Sequence, residues 1–132
     1  MKSWMVFPVA LLLTGCALGI RSDGSSPSVT YKVPHNYQVV YMRAQHQARE
    51  CQGGNSNFNV QGQIDSVMQT GVVSVIDPIA GFEVARTQLK AVDAQNTEVT
   101  QVVSGRGSWN QDALNAMQQS VRMDASICFV YK

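Results

Sequence analysis

The sequence predicts an α+β fold, a two-layer sandwich with both helices on one face of an antiparallel sheet, in the order β-α-β-β-β-β-α. Three observations predict it. Two stretches, near the start and the end of the folded part, repeat apolar residues at the helical period, and four short runs between them alternate with a period of two. The turns joining those runs are short and carry Gly, Asp and Asn, which makes successive strands neighbours in a four-stranded meander. One apolar face on the sheet and one stripe per helix are then buried most economically when the two helices share a side.

The first element is SVTYKVP (28–34), where Val29, Tyr31 and Val33 alternate with polar or small residues and Pro34 ends the strand. A helix is expected over 36–52. Asn36 suits its N-cap, Tyr37, Val40, Tyr41, Ala44, Ala48 and Cys51 form one stripe, and Gly53 stands where a left-handed end is wanted. A strand over 37–42 is the alternative that Val39 and Val40 raise, and the longer period favours the helix. After the loop GGNSN, the run FNVQGQIDSVM (58–68) places Phe58, Val60, Ile64 and Met68 on one face, with Gly62 among them, and Asn59, Gln61, Gln63 and Asp65 on the other.

QTG turns the chain into VVSVI (72–76), and DPIAG (77–81) reads as a longer hairpin loop into a third strand over 82–92. Arg86 and Gln88 interrupt its alternation, which leaves open either a wet face or a bulge. DAQN turns into a fourth strand over 97–104. Ser108 followed by Gln111 matches a capping box for a helix over 109–124, whose stripe is Leu114, Met117 and Val121 with Ala113 and Trp109. The tail ICFVYK is expected to be extended, against the sheet or the first helix.

Ahead of all this stands a targeting pattern. Lys2 is followed by the apolar run WMVFPVALLL (4–13), with no acidic residue before Asp23. A membrane-spanning helix needs about 20 apolar residues, and Thr14 and Gly15 interrupt this one, so residues 1–15 read as a secretory signal peptide. Leu13-Thr14-Gly15-Cys16 resembles the lipobox cleaved by signal peptidase II in bacterial lipoproteins. That resemblance implies that the Cys16 sulfur carries a diacylglycerol and that the bilayer is a partner through this anchor. Ala17, where Asp commonly marks inner-membrane retention in Gram-negative lipoproteins, implies the outer membrane, with the domain facing the periplasm. Residues 16–27, rich in Ser with Gly and Pro, read as a lipidated, flexible tether to a domain over 28–132.

With Cys16 taken by lipid, Cys51 and Cys128 remain as an even pair in an oxidising compartment, which reads as one disulfide. A metal pair is the competing reading, disfavoured because no CxxC occurs and the only histidines are His35 and His46. Loss of Lys2 with the signal removes the single excess positive charge, leaving no basic field for nucleic acid.

No HExxH, GxSxG or Cys-His pattern occurs, so neither catalytic residue nor cofactor nor metal site is expected. SGRGS (104–108) precedes a helix start, yet lacks the phosphate-loop form, and turn plus cap accounts for it. Asp65, Asp77, Glu83, Asp93 and Glu98 fall on strands and turns without defining a pair, and His46 lies off the apolar stripe. The whole resembles small proteobacterial outer-membrane lipoproteins in which helices cover a small sheet. The resemblance implies no activity; a small, neutral, tethered chain without a catalytic motif is expected to be a non-catalytic accessory or structural protein with an envelope protein partner. The alternative is a ligand binder or enzyme using a groove between helices and sheet.

Overall fold

The computed structural model describes residues 19–53 and 57–128. Its elements are β1 (Ser28–Val33), α1 (Tyr37–Gln47) with a π-helical continuation (Ala48–Gly53), β2 (Asn59–Asp65), β3 (Thr70–Ile76), β4 (Glu83–Asp93), β5 (Asn96–Val103) and α2 (Gln111–Met123). The fold is α+β as expected: one five-stranded antiparallel sheet with both helices on one side. β2 to β5 form the meander. β1 adds to its far edge beside β5, giving the order β1-β5-β4-β3-β2, so the two strands that α1 connects occupy opposite edges.

Register places the apolar residues in rows across the covered face. Tyr31, Val99, Leu89, Gly71 and Ile64 stand opposite one another from edge to edge, as do Val29, Gln101, Thr87, Val73 and Gly62. Val40, Ala44 and Ala48 from the first helix and Leu114, Met117 and Val121 from the second close over them. Gly62 and Gly71 matter because the Tyr41 ring lies against both. A Cβ at Gly71 would stand 2.9 Å from Tyr41 Cδ2 and 3.2 Å from Leu89 Cδ1, and one at Gly62 would meet the Tyr41 hydroxyl. The two glycines form a notch in the sheet that lets α1 settle.

Asn36 caps α1 as expected, its Oδ1 accepting from Gln38 N–H at 2.9 Å. Its Nδ2 also donates to Ala94 O, and Thr97 Oγ1 donates to His35 O, which ties the helix start to the β4–β5 turn. The α-helix expected to run to 52 instead ends at Gln47 and widens into π geometry over Ala48–Gly53. The wider turn buries Cys51 and Gln52 together beside Gln47 and Ala48. Gly53 is not left-handed. Its missing side chain makes room for Val60, whose Cγ2 lies 2.9 Å from where a Cβ would be.

The second strand, expected to reach Met68, stops at Asp65, because Asp65 Oδ1 accepts both Val67 N–H and Met68 N–H and Gln69 turns left-handed. Met68 is consequently exposed in the turn, and Ile64 is half covered, since no helix extends over that corner. In β4 the alternation continues with Arg86 and Gln88 on the wet face and Thr87 buried between them. Bulges do occur, but at Val84 and Val92, where pairing skips one residue. Val84 and Ala85 are buried consecutively as a result.

The capping box at Ser108 does not form. Asn110 caps α2, its Oδ1 accepting from Asp112 N–H (3.0 Å) and Ala113 N–H (3.2 Å), so Gln111 is the first helical residue rather than the third. Asparagine is at least as good a cap as serine. Trp109 is buried from the turn before the helix, edge-on to Phe58 with ring centroids 5.1 Å apart.

Of the segment expected as tether, the described part lies on the domain. Ile20 N–H donates to Glu83 O (2.9 Å), Arg21 N–H to the Oγ of buried Ser26 (2.8 Å), and Val103 N–H to Pro27 O (3.0 Å). A Ser-rich composition with Gly and Pro does not distinguish a free linker from a loop that the fold pins.

Gly71→Val is expected to drive a side chain into the Tyr41 ring and Leu89 and to lower stability by about 1–3 kcal/mol. Urea unfolding of the variant beside the parent protein measures this, and an unchanged midpoint counts against the notch as the seat of α1.

Candidate functional site

Of the residues singled out in the sequence, Cys16 lies outside the described residues. Cys51 and Cys128 are joined in a disulfide, with Cα atoms 4.7 Å apart. The bridge staples the end of the first helical segment to the chain that follows α2. That chain is guided there by Ser120, whose carbonyl accepts Ala125 N–H and whose hydroxyl accepts Ile127 N–H. The tail expected against the sheet or the first helix thus reaches the end of the helix at Cys128, and residues 129–132 lie outside the described residues.

A groove of 440 Å³ runs along the outward face of α1, lined by Val39, Met42, Arg43, Gln45, His46, Arg49 and Asp124. Val39, Met42, His46 and Arg49 share that face by helical spacing. Met42 is 67% exposed, and His46 Nε2 lies 2.9 Å from Glu50 Oε1 one turn on, both side chains in solvent. Such an exposed pair contributes little to stability. The groove therefore offers two apolar side chains beside the Arg49 guanidinium, with Asp124 at its edge.

Arg43 differs from its neighbours in the groove. Its side chain is only 14% exposed, and Nη1 donates to Val121 O (3.1 Å) and Arg122 O (3.4 Å), while Nε stands 3.8 Å from Asp124 Oδ1. The guanidinium thus sits on the last carbonyls of α2, where a helix leaves acceptors unpaired and its dipole is negative. Nothing in the sequence singles this arginine out. Its one signal is that it borders the apolar stripe at Val40 and Ala44 instead of facing away from it.

The sheet also buries a polar chain. Tyr31 Oη donates to Gln101 Oε1 at 2.7 Å, and Gln101 Nε2 donates to Thr87 Oγ1 at 3.2 Å, linking β1, β5 and β4. Burial pushes the Tyr31 hydroxyl far above the usual tyrosine range, opposed weakly by Arg122, whose guanidinium carbon stands 4.7 Å from the ring centroid. A neutral phenol with its proton held by an amide is a register pin rather than an acid or base.

The carboxylates are similarly engaged. Asp77 Oδ1 accepts from Ile79 N–H (2.9 Å) and Ala80 N–H (2.8 Å), as Asp65 does in its own turn. Asp93 accepts from Gln95 N–H and Asn96 Nδ2, and these bonds hold its carboxyl below the usual aspartate range. Glu83 accepts from Arg86 Nε (2.8 Å) and Nη2, and Glu98 faces solvent between Lys32 of β1 and Lys90 of β4. In SGRGS, Gly105 and Gly107 take the left-handed conformations of a turn, and Gly105 N–H donates to Trp109 O. Among the described residues no group of three His, Cys, Asp or Glu side chains is placed to hold a metal ion, and no helix is long and apolar enough to cross a membrane.

No protein-family model matches the chain, and no curated protein matches it.

Arg43→Ala is expected to leave the C-terminal carbonyls of α2 without their cation, costing about 1–3 kcal/mol. Hydrogen exchange should accelerate first in residues 120–124. Cys51→Ala is expected to release one thiol at Cys128 and to lower stability by roughly 4 to 5 kcal/mol in the chain-entropy treatment. Thiol titration under denaturing, non-reducing conditions reads it, with no reactive thiol from these two positions in the parent protein.

Proposed function

We propose that this chain is a lipid-anchored envelope lipoprotein of a Gram-negative bacterium, held in the outer membrane through acylated Cys16, whose domain serves a non-catalytic accessory or structural role. The observation that carries the reading is the cysteine pattern as a whole. Three cysteines occur; one completes the LTGC box after an apolar run, and the other two are bridged to each other. Stable structural disulfides belong to oxidising compartments, and export with lipidation at Cys16 is the route into one that the sequence offers.

The accessory role rests on what the polar groups do. Carboxylates of Asp65, Asp77 and Asp93 close their own turns, and the buried phenol of Tyr31 is fixed by Gln101. The space between helices and sheet is occupied by Val40, Leu114, Met117 and Val121 of the core. What remains for an envelope protein partner is the α1 groove, with Val39 and Met42 for apolar contact and His46 and Arg49 for acidic side chains.

Cys16→Ser tests the anchor, because only a thiol accepts the lipid. Cells fed labelled palmitate should label the parent protein and not the variant, which should appear uncleaved or soluble in the periplasm. Undiminished label in the variant would refute the reading. On a sucrose gradient the mature protein should band with outer-membrane markers, as Ala17 after the anchor implies.

A further inference from the structure

We infer that the domain rests on the bilayer by one particular end, with the β3–β4 turn and Ile79 at its tip against the lipid headgroups. This rests on the lipid anchor proposed for Cys16. The argument begins with where the chain leaves the fold. Ile20 N–H is bonded to Glu83 O, and Gly19 lies so close that a Cβ there would stand 2.8 Å from Glu83 O and 3.1 Å from Phe82 Cβ. The leash to Cys16 is therefore only the chain from Ile20 back to it, which spans at most about 14 Å fully extended. Part of that reach is used inside the bilayer, whose headgroup layer is roughly 5–7 Å deep on each side.

Such a leash cannot reach from any other end of the sheet. β3 alone carries the chain about 20 Å at a rise near 3.4 Å per residue, from the β2–β3 turn to the β3–β4 turn. The end that bears Glu83 is thus held at the surface while the Val67 turn points away. What this end presents is suited to contact with lipid. Pro78, Ile79, Ala80 and Gly81 are all exposed and uncharged, and Ile79 is 96% exposed. The tip is rigidly built, since Asp77 binds its N–H groups, Gly81 N–H donates to Asp77 O, and Asp77 N–H donates to Phe82 O.

The test uses the lipidated full-length product purified from envelopes and reconstituted in vesicles of phosphatidylethanolamine and phosphatidylglycerol, with and without a brominated-lipid fraction. Ile79→Trp and Val67→Trp each add an indole at an exposed turn tip outside the core, and Trp109 emission in the parent protein is subtracted. Bromine should quench most of the added emission in Ile79→Trp and leave that of Val67→Trp unchanged. Equal quenching of the two, or stronger quenching of Val67→Trp, would overturn the orientation while palmitate on both variants still upheld the anchor. Absence of palmitate would overturn both.

Discussion

Residues 37–53 have to carry the chain from one edge of a five-stranded sheet to the other, because β1 and β2 lie at opposite ends of the strand order. Everything that fixes the helical layer serves that crossing. At its start Asn36 and His35 are bonded to the β4–β5 turn. In its middle Tyr41 drops into the notch above Gly62 and Gly71, while Arg43 reaches sideways to the carbonyls of α2. At its end Cys51 is bonded to Cys128. Helix 1 is short for its task and carries two β-branched residues on successive positions, so its stability comes from these attachments more than from propensity.

The same crossing explains why the interior tolerates polar groups. Covering five strands with two helices leaves the β1–β5–β4 region under the α2 end of the layer, where Gln101 and Thr87 are fully enclosed. An unpaired amide there would cost more than the bond it makes gains. Tyr31 and Thr87 satisfy it from the strands on both sides, and in doing so they fix which residues stand opposite. A one-residue slip of β1 would turn Tyr31 to solvent and leave the Gln101 carbonyl oxygen alone, so the polar chain selects register as well as filling space.

The two faces of the molecule are consequently unlike. The open sheet face carries rows such as Lys32, Glu98, Lys90, Thr70 and Asp65, in which opposite charges alternate across strands. This favours solvation and pairing in register over association through the face. The helical face carries the groove of Val39, Met42, His46 and Arg49. An anchor at the Glu83 end would leave both of these faces standing clear of the bilayer, free for a partner.

The sequence by itself determined the fold class, the succession of elements, the Asn36 cap and the pairing of the two cysteines that remain after Cys16. Each of these is written in local period or in parity: apolar spacing states which side of a strand or helix is buried, and an even count states that a pair exists. Period does not state which neighbour a face meets. That β1 joins β5, that Asn110 rather than Ser108 caps α2, that Asp65 ends β2 three residues before Met68, and that residues 20–27 lie on the domain were decided in the tertiary structure. The same is true of Arg43, which is one more polar residue on a helix flank until α2 ends beside it. These contacts join residues far apart in the chain, or set one local hydrogen-bonding choice against another of similar strength, and only the packed arrangement of both layers breaks the tie.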